Sequence, residues 1–231
     1  MAGDNRLVTE DFLRLNFTPK SGITPGTDNS IIMDYVHIRT RYLVSISGVQ
    51  DDKRCPGQNQ IAPEFTVGQS YGGGIVAHIF TSGESGYVPG YISGFICAVA
   101  DQSSACAWGT TTATVSTTQG VFGAVTNTNN IITVNGAGSY AAQLCANYST
   151  TVNSITYSDW YLPTYDELIY IHANKTAIGG FGGGNYWSST QSLATTVQAY
   201  IIAFASGVGG DANKLFGLIA CRAIRYFSVP M

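Results

Sequence analysis

The chain has 231 residues, enough for one large or two small domains with a real core. Charged side chains make up only 11% of it, against about 25% in ordinary soluble domains, and the formal net charge is −3. The surface this implies is neutral and polar, which suits glycan or protein contacts or a subunit interface and excludes the basic stripe that nucleic acid requires.

Residues 1–11 carry neither a basic head nor an apolar run long enough for export. No later segment approaches a membrane span, so the expectation is a protein made and left in a cytosol, without membrane insertion. The chain changes character near residue 66, because seven of eleven basic and eight of fourteen acidic side chains precede Val67. Two regions are read, 1–66 and 67–231. In the first, Thr9 caps an expected short helix over residues 8–15, with Phe12, Leu13 and Leu15 on its apolar side. A loop rich in Pro, Gly, Asp and Asn covers 18–30, residues 31–38 and 41–47 read as strands, and Cys55-Pro-Gly is a turn. So small a region lacks a complete core of its own. It is either an attachment and oligomerisation region completed by neighbouring subunits or an extension packed on the domain that follows.

The second region opens with Tyr71-Gly-Gly-Gly before an apolar strand. No phosphate-binding motif and no helix follows these glycines, so they serve turning and close backbone approach. His78 falls in an alternating apolar strand and reads as a core-edge side chain. A further strand is expected over 91–100, with Trp108 closing its loop. Residues 110–135, rich in Thr, Ser, Asn and Gly, read as an ordered irregular loop with short strands. A helix follows over 139–147, capped by Ser139 and turning Leu144 and Cys145 inward.

Asp159-Trp-Tyr-Leu-Pro-Thr-Tyr-Asp-Glu-Leu168 is the most informative stretch. Pro163 stops a strand, and Thr164 with Glu167 three residues on forms a capping box that opens a helix ending near Asn174. The glycines of 179–184 then turn the chain back so that Tyr186-Trp187 re-enters the interior. Strands over 197–206 and 215–226 are expected to pair as a hairpin around the polar loop 207–214. Arg222 and Arg225, three apart on that second strand, point to opposite faces, so one pairs inward with Asp159, Asp166 or Glu167 while the other faces out. Trp160, Leu162, Trp187 and Ile224 are expected in one core.

Five cysteines cannot all pair within one chain, and none stands at metal-ligand spacing from another ligand. Buried free thiols are the expectation, with a bridge between Cys97 and Cys106 open if the mature protein is oxidised. No cofactor and no metal is expected.

The order D-W-x-L-P-T-x-x-E-L, then Tyr186-Trp-Ser-Ser-Thr190, then the terminal Arg222-x-x-Arg225, resembles the domain family typified by the C-terminal domain of bacterial collagen-like adhesins. Tyr71-Gly-Gly-Gly-Ile-Val76, Gly94 to Ala100 and Ala107-Trp-Gly109 keep that family's order, so the resemblance covers roughly 68–227. It implies an α+β, C-type-lectin-like fold, two helices around a mostly antiparallel sheet. The cysteine that the family places between its last two arginines is Ala223 here, so that disulfide is not carried over. Formylglycine-generating oxidases share the fold but need paired reactive cysteines, and Cys221 has no cysteine near it in sequence. Asp166 and Glu167 point about 100° apart on a helix rather than at one bond, and the motifs of calcium-dependent sugar binding are missing. The expectation is therefore not an enzyme.

An adhesin-like domain without an export signal fits a non-enzymatic virion structural protein, a fibre or capsid-decoration subunit assembled in the host cytoplasm. Its expected partners are other virion proteins and a host-surface glycan or protein, and its expected state is a homo-oligomer, a trimer by analogy with fibres. A purely structural cement protein is the alternative, as is a bacterial cell-surface adhesin domain. The resemblance brings the loops before the final hairpin together, which makes Asn185, Gln191, Asp211, Asn213 and Lys214 the candidate ligand-binding residues, with Tyr186 as a stacking face if it points outward. Soluble turns without a ligand are the other reading of the same loops.

Overall fold

The computed structural model describes the backbone of Asn5–Val8 and Arg14–Phe17 and, in full, residues 64–231. The chain divides into two compact units, Met1–Asn59 and Gln60–Met231. In the first, β1 (Asn5–Val8) and β2 (Arg14–Phe17) pair antiparallel, Val8 opposite Arg14. The helix expected over 8–15 is thereby corrected, since strands occupy both its ends. The strands expected at 31–38 and 41–47, the Cys55 turn and the assembly role of residues 1–66 lie outside the described residues.

The second unit is α+β and mostly β. One sheet has four strands in the order β13 (Ile224–Pro230), β5 (Tyr91–Cys97), β4 (Gly74–Ile79), β3 (Ser70–Tyr71). The other has five, in the order β11 (Gly209–Asn213), β10 (Gln198–Ala203), β9 (Asn185–Gln191), β12 (Ile219–Cys221), β6 (Ser103–Cys106). All pairings in these two sheets are antiparallel except β12 with β9. A small hairpin, β7 (Thr150–Val152) with β8 (Ile155–Tyr157), stands apart from both. β5 reads Ile-Ser-Gly-Phe-Ile-Cys without alternation because it is an inner strand, buried from Ser93 to Cys97. At Gly94 a Cβ would sit 1.9 Å from the His78 carbonyl oxygen, so only glycine lets β4 and β5 close where their register shifts.

Four helices pack with the sheets: α1 (Ala124–Asn135), α2 (Ala141–Ala146), α3 (Tyr165–Ala173) and α4 (Lys175–Ile178). α3 begins as its sequence dictates: the Thr164 hydroxyl accepts from Glu167 N at 3.2 Å, and Glu167 Oε2 accepts from Thr164 N at 3.0 Å. Residues 110–123 are irregular as expected, though without strands, whereas α1 replaces the second half of the loop expected across 110–135. Its buried face is Ala124, Asn127, Thr128 and Ile131, a helical i, i+3, i+4, i+7 spacing whose two middle members are polar. They are tolerated inside because each is bonded: Asn127 clasps Thr118 N and O at 2.8 and 2.6 Å, and the Thr128 hydroxyl accepts from Leu162 N at 3.2 Å. α2 starts after Tyr140, without a side-chain cap from Ser139.

The expected closing hairpin is corrected as well. β10 pairs with β11, which lies in the stretch read as a loop, while the chain beyond divides into β12 and β13 and joins both sheets. β11 is an exposed edge strand, so its Gly-Gly-Asp-Ala-Asn composition has no apolar face to reveal it. The interior forms two apolar clusters. Trp108, Trp160, Leu162 and Trp187 lie in one, whereas Ile224 lies in the other with Phe95, Leu168 and Tyr186, so the four residues expected together are split. Among the described residues, no helix is long and apolar enough to cross a membrane.

Candidate functional site

The six candidate residues do not share one surface. On β9, Asn185 stands opposite Ala203 and Gln191 opposite Ala199, so Asn185 and Gln191 occupy the two ends of the strand, about 20 Å apart at ~3.3 Å per residue. Asp211, Asn213 and Lys214 join Gln191 at one end, and Asn185 stays at the other with the glycine loop 179–184.

At the Gln191 end the organiser is Lys214, whose side chain is fully buried rather than displayed. Its ammonium donates to the Gln191 amide oxygen at 2.7 Å and to Ala113 O at 2.8 Å, and lies 4.6 Å from the centre of the Trp108 ring. Lys214 N donates to Val197 O at 3.0 Å, and Gln191 Oε1 also accepts from Val115 N at 2.8 Å. One cation thus ties together the 110–117 loop, the β9–β10 turn and the end of β11. Burial pushes the Lys214 ammonium down to about 8, since no carboxylate among the described residues pairs with it. Asp211 accepts from the Ser192 hydroxyl at 2.9 Å, and Asn213 Oδ1 accepts from Leu215 N at 2.9 Å, so both hold turns. What these turns present is apolar: Leu193 is 82% exposed, Leu215 51% and Phe216 48%.

At the other end Tyr186 turns its ring inward, 1% exposed, against Phe204, which removes it as an outward stacking face. Its hydroxyl donates to Asp101 Oδ2 at 2.9 Å and accepts from Gly182 N at 2.9 Å. Arg222, also buried, donates from Nε to Asp101 Oδ1 at 2.6 Å and from Nη1 to Gly179 O at 2.9 Å, with Nη2 on Gly180 O. Its guanidinium sits 3.9 Å from the centre of the Phe181 ring. The pattern expected for the two arginines holds in part: one does pair with Asp159, but the other is buried rather than facing out. Arg222 pairs with Asp101, which the sequence reading did not single out, and Arg225 takes Asp159 through both oxygens at 2.6 and 2.8 Å at the more exposed position. Asp101 lies 121 positions from Arg222, and nothing local in the sequence marks it as the partner.

The acids at the start of α3 face no open site. Glu167 is fully buried, with Oε1 accepting from Phe122 N at 2.8 Å and Oε2 from Thr164 N. Burial pushes its carboxyl up to about 7, against the pull of those two donors. His78 is a core-edge side chain, 3.0 Å from Glu84 Oε1. Cys97, Cys106, Cys145 and Cys221 are free and buried. Cys106 neighbours Cys221, which in turn neighbours Cys145, while Cys97 lies by Arg222. Trp187 is in the core, its indole N–H on Cys106 O at 2.9 Å. Every buried side-chain nitrogen and oxygen among the described residues has a hydrogen-bond partner. Among them, no group of three or more His, Cys, Asp or Glu is placed to hold a metal ion.

The sequence matches no protein-family model and no curated protein.

Proposed function

We propose that residues 67–231 form a C-type-lectin-like recognition domain of a non-enzymatic virion structural protein, a fibre or capsid-decoration subunit that binds a host-surface partner. One observation carries this reading. The turns at the Gln191 end hold Leu193, Leu215 and Phe216 out to solvent on a frame that the buried Lys214 fixes from beneath. Large apolar side chains held in water by rigid turns suit a partner that covers them. Their chemistry favours a protein surface over a neutral glycan, because the amide and acid side chains around them are already spent on their own turns. Assembly as a trimer through residues 1–66 belongs to the same proposal, and light scattering of the full chain checks it.

The same side chains also fit a neighbouring subunit, which is the cement reading. Replacing Leu193, Leu215 and Phe216 together with serine in the full chain separates the two. Receptor binding predicts particles that assemble normally and adsorb poorly. Loss of assembly supports cement, and normal assembly with normal adsorption removes both. Lys214 is left intact in this test, since its loss would disturb the frame itself.

A further inference from the structure

The Asn185 end carries a separate feature, independent of the adhesion reading. Lys175, Thr176, the glycine loop from Gly179 to Gly183, Phe204 and Ala205 line an open cleft of about 360 Å³, within the lower range of small-ligand sites. Of the four cations in the described second unit, Arg222 and Arg225 are paired with carboxylates and Lys214 is sealed in the interior. Lys175 is the remaining one, half-buried at the cleft, and no carboxylate among the described residues pairs with it. Its ammonium contacts His172 Nε2 at 3.1 Å and Phe204 O, which leaves one of three N–H donors and the charge itself uncompensated.

The glycines divide into two kinds. Gly179 and Gly180 have φ of 76° and 71°, so the backbone requires them, and their carbonyls are fixed by Arg222. Gly182 and Gly183 have no positive φ, and a Cβ added to them would meet nothing closer than 3.8 Å and 3.9 Å. The fold does not demand glycine at either position. What their bare backbone provides is access to the cleft, where the N–H groups of Gly180, Phe181 and Gly183 have no acceptor among the described residues. Meanwhile the Arg222–Asp101–Tyr186 cluster holds the loop from behind, so these donors are fixed in advance.

We propose that this cleft binds a carboxylate-bearing monosaccharide, its carboxylate on Lys175 Nζ and its hydroxyls on the glycine-loop backbone. The charge calls for an anion. The neutral backbone donors and the partly exposed Phe181 ring call for a polyhydroxylated body with an apolar face rather than for a second charge.

The test titrates the full chain with D-glucuronate, D-glucose and acetate and follows the loop amides by NMR. D-glucuronate is expected to bind about tenfold or more tightly than either of the others, since each lacks one half of the ligand. Lys175→Met should reduce glucuronate binding to the level of glucose. Gly182→Ala with Gly183→Ala should weaken it at least as much while leaving the melting temperature unchanged or higher. Failure of glucuronate to bind overturns the proposal. So does equal binding of acetate, which would make the cleft a general carboxylate site, or full binding in the folded glycine variant.

Discussion

Thr164→Ala tests whether the α3 start is held as described, and the structure sets the size of the effect. The substitution deletes the hydroxyl that accepts from Glu167 N at 3.2 Å. An exposed cap of this kind is worth about 1 kcal/mol. Thr164 is 0% exposed, however, so no water replaces the lost acceptor, and a buried unpaired N–H costs about 1–3 kcal/mol, which overlaps with the capping figure. The lost methyl group adds about 0.8 kcal/mol. Together these give roughly 2–4 kcal/mol, or a fall in melting temperature of roughly 4–16 °C for a unit of this size. Trp108, Trp160 and Trp187 are all buried in the second unit, so tryptophan fluorescence during urea unfolding reads that unit directly. Thr164→Ser keeps the hydroxyl and should lose only the methyl contribution. Equal destabilisation by alanine and serine, or none by alanine, would refute the capping argument.

Glu167→Gln removes a buried carboxyl whose folded pKa is raised from 4.5 to about 7, so the stability it contributes is present below pH 4.5 and lost as pH rises through 7. Wild type minus variant, from urea curves at several pH values, should therefore decline across that window. Lys214→Met has the opposite sign: a folded pKa lowered from 10.5 to about 8 makes wild type gain stability relative to the variant as pH rises from 8 towards 10.5. Arg222→Ala should cost about 2–3 kcal/mol because it removes a buried guanidinium that bonds the partly buried Asp101 and the Gly179 and Gly180 carbonyls. Arg225→Ala should cost no more than about 1 kcal/mol, since its partner Asp159 is 58% exposed; chemical denaturation compares the two.

Signals that act over three or four residues were legible in the sequence. The Thr164 and Glu167 pair is a local motif, and its helix appears where the motif puts it. Trp187 reads as core and is core. Where burial is polar, sequence reading failed for a physical reason. Asn127 and Thr128 face inward on α1 because Thr118 and Leu162 satisfy them, and those partners are set by tertiary packing. The same holds for Lys214, which composition puts in a soluble turn and the fold puts beneath one. The candidate site suffered most, because grouping its six residues required knowing that β9 runs between two loop clusters rather than beside one.

Three of the four cations in the second unit are spent on bonds within it, so the apolar turns and the glycine cleft differ in charge as well as in place. Beside the turns that carry Leu193, Leu215 and Phe216, Lys214 is buried and Asp211 is bonded by the Ser192 hydroxyl. Contact there is driven by area rather than by charge. Screening has little to act on, and raising salt from about 0.05 to 0.5 M shortens the Debye length from roughly 14 to 4 Å without weakening apolar burial. Particle adsorption through these turns is expected to stay level or rise across that range, measured as the rate of loss of free particles. Acidic-sugar binding at Lys175 should fall over the same range, because its attraction to the carboxylate is partly solvent-exposed. If adsorption drops steeply with salt while the Leu193, Leu215 and Phe216 serine variant adsorbs normally, the partner is held by charge and the apolar turns are not its site.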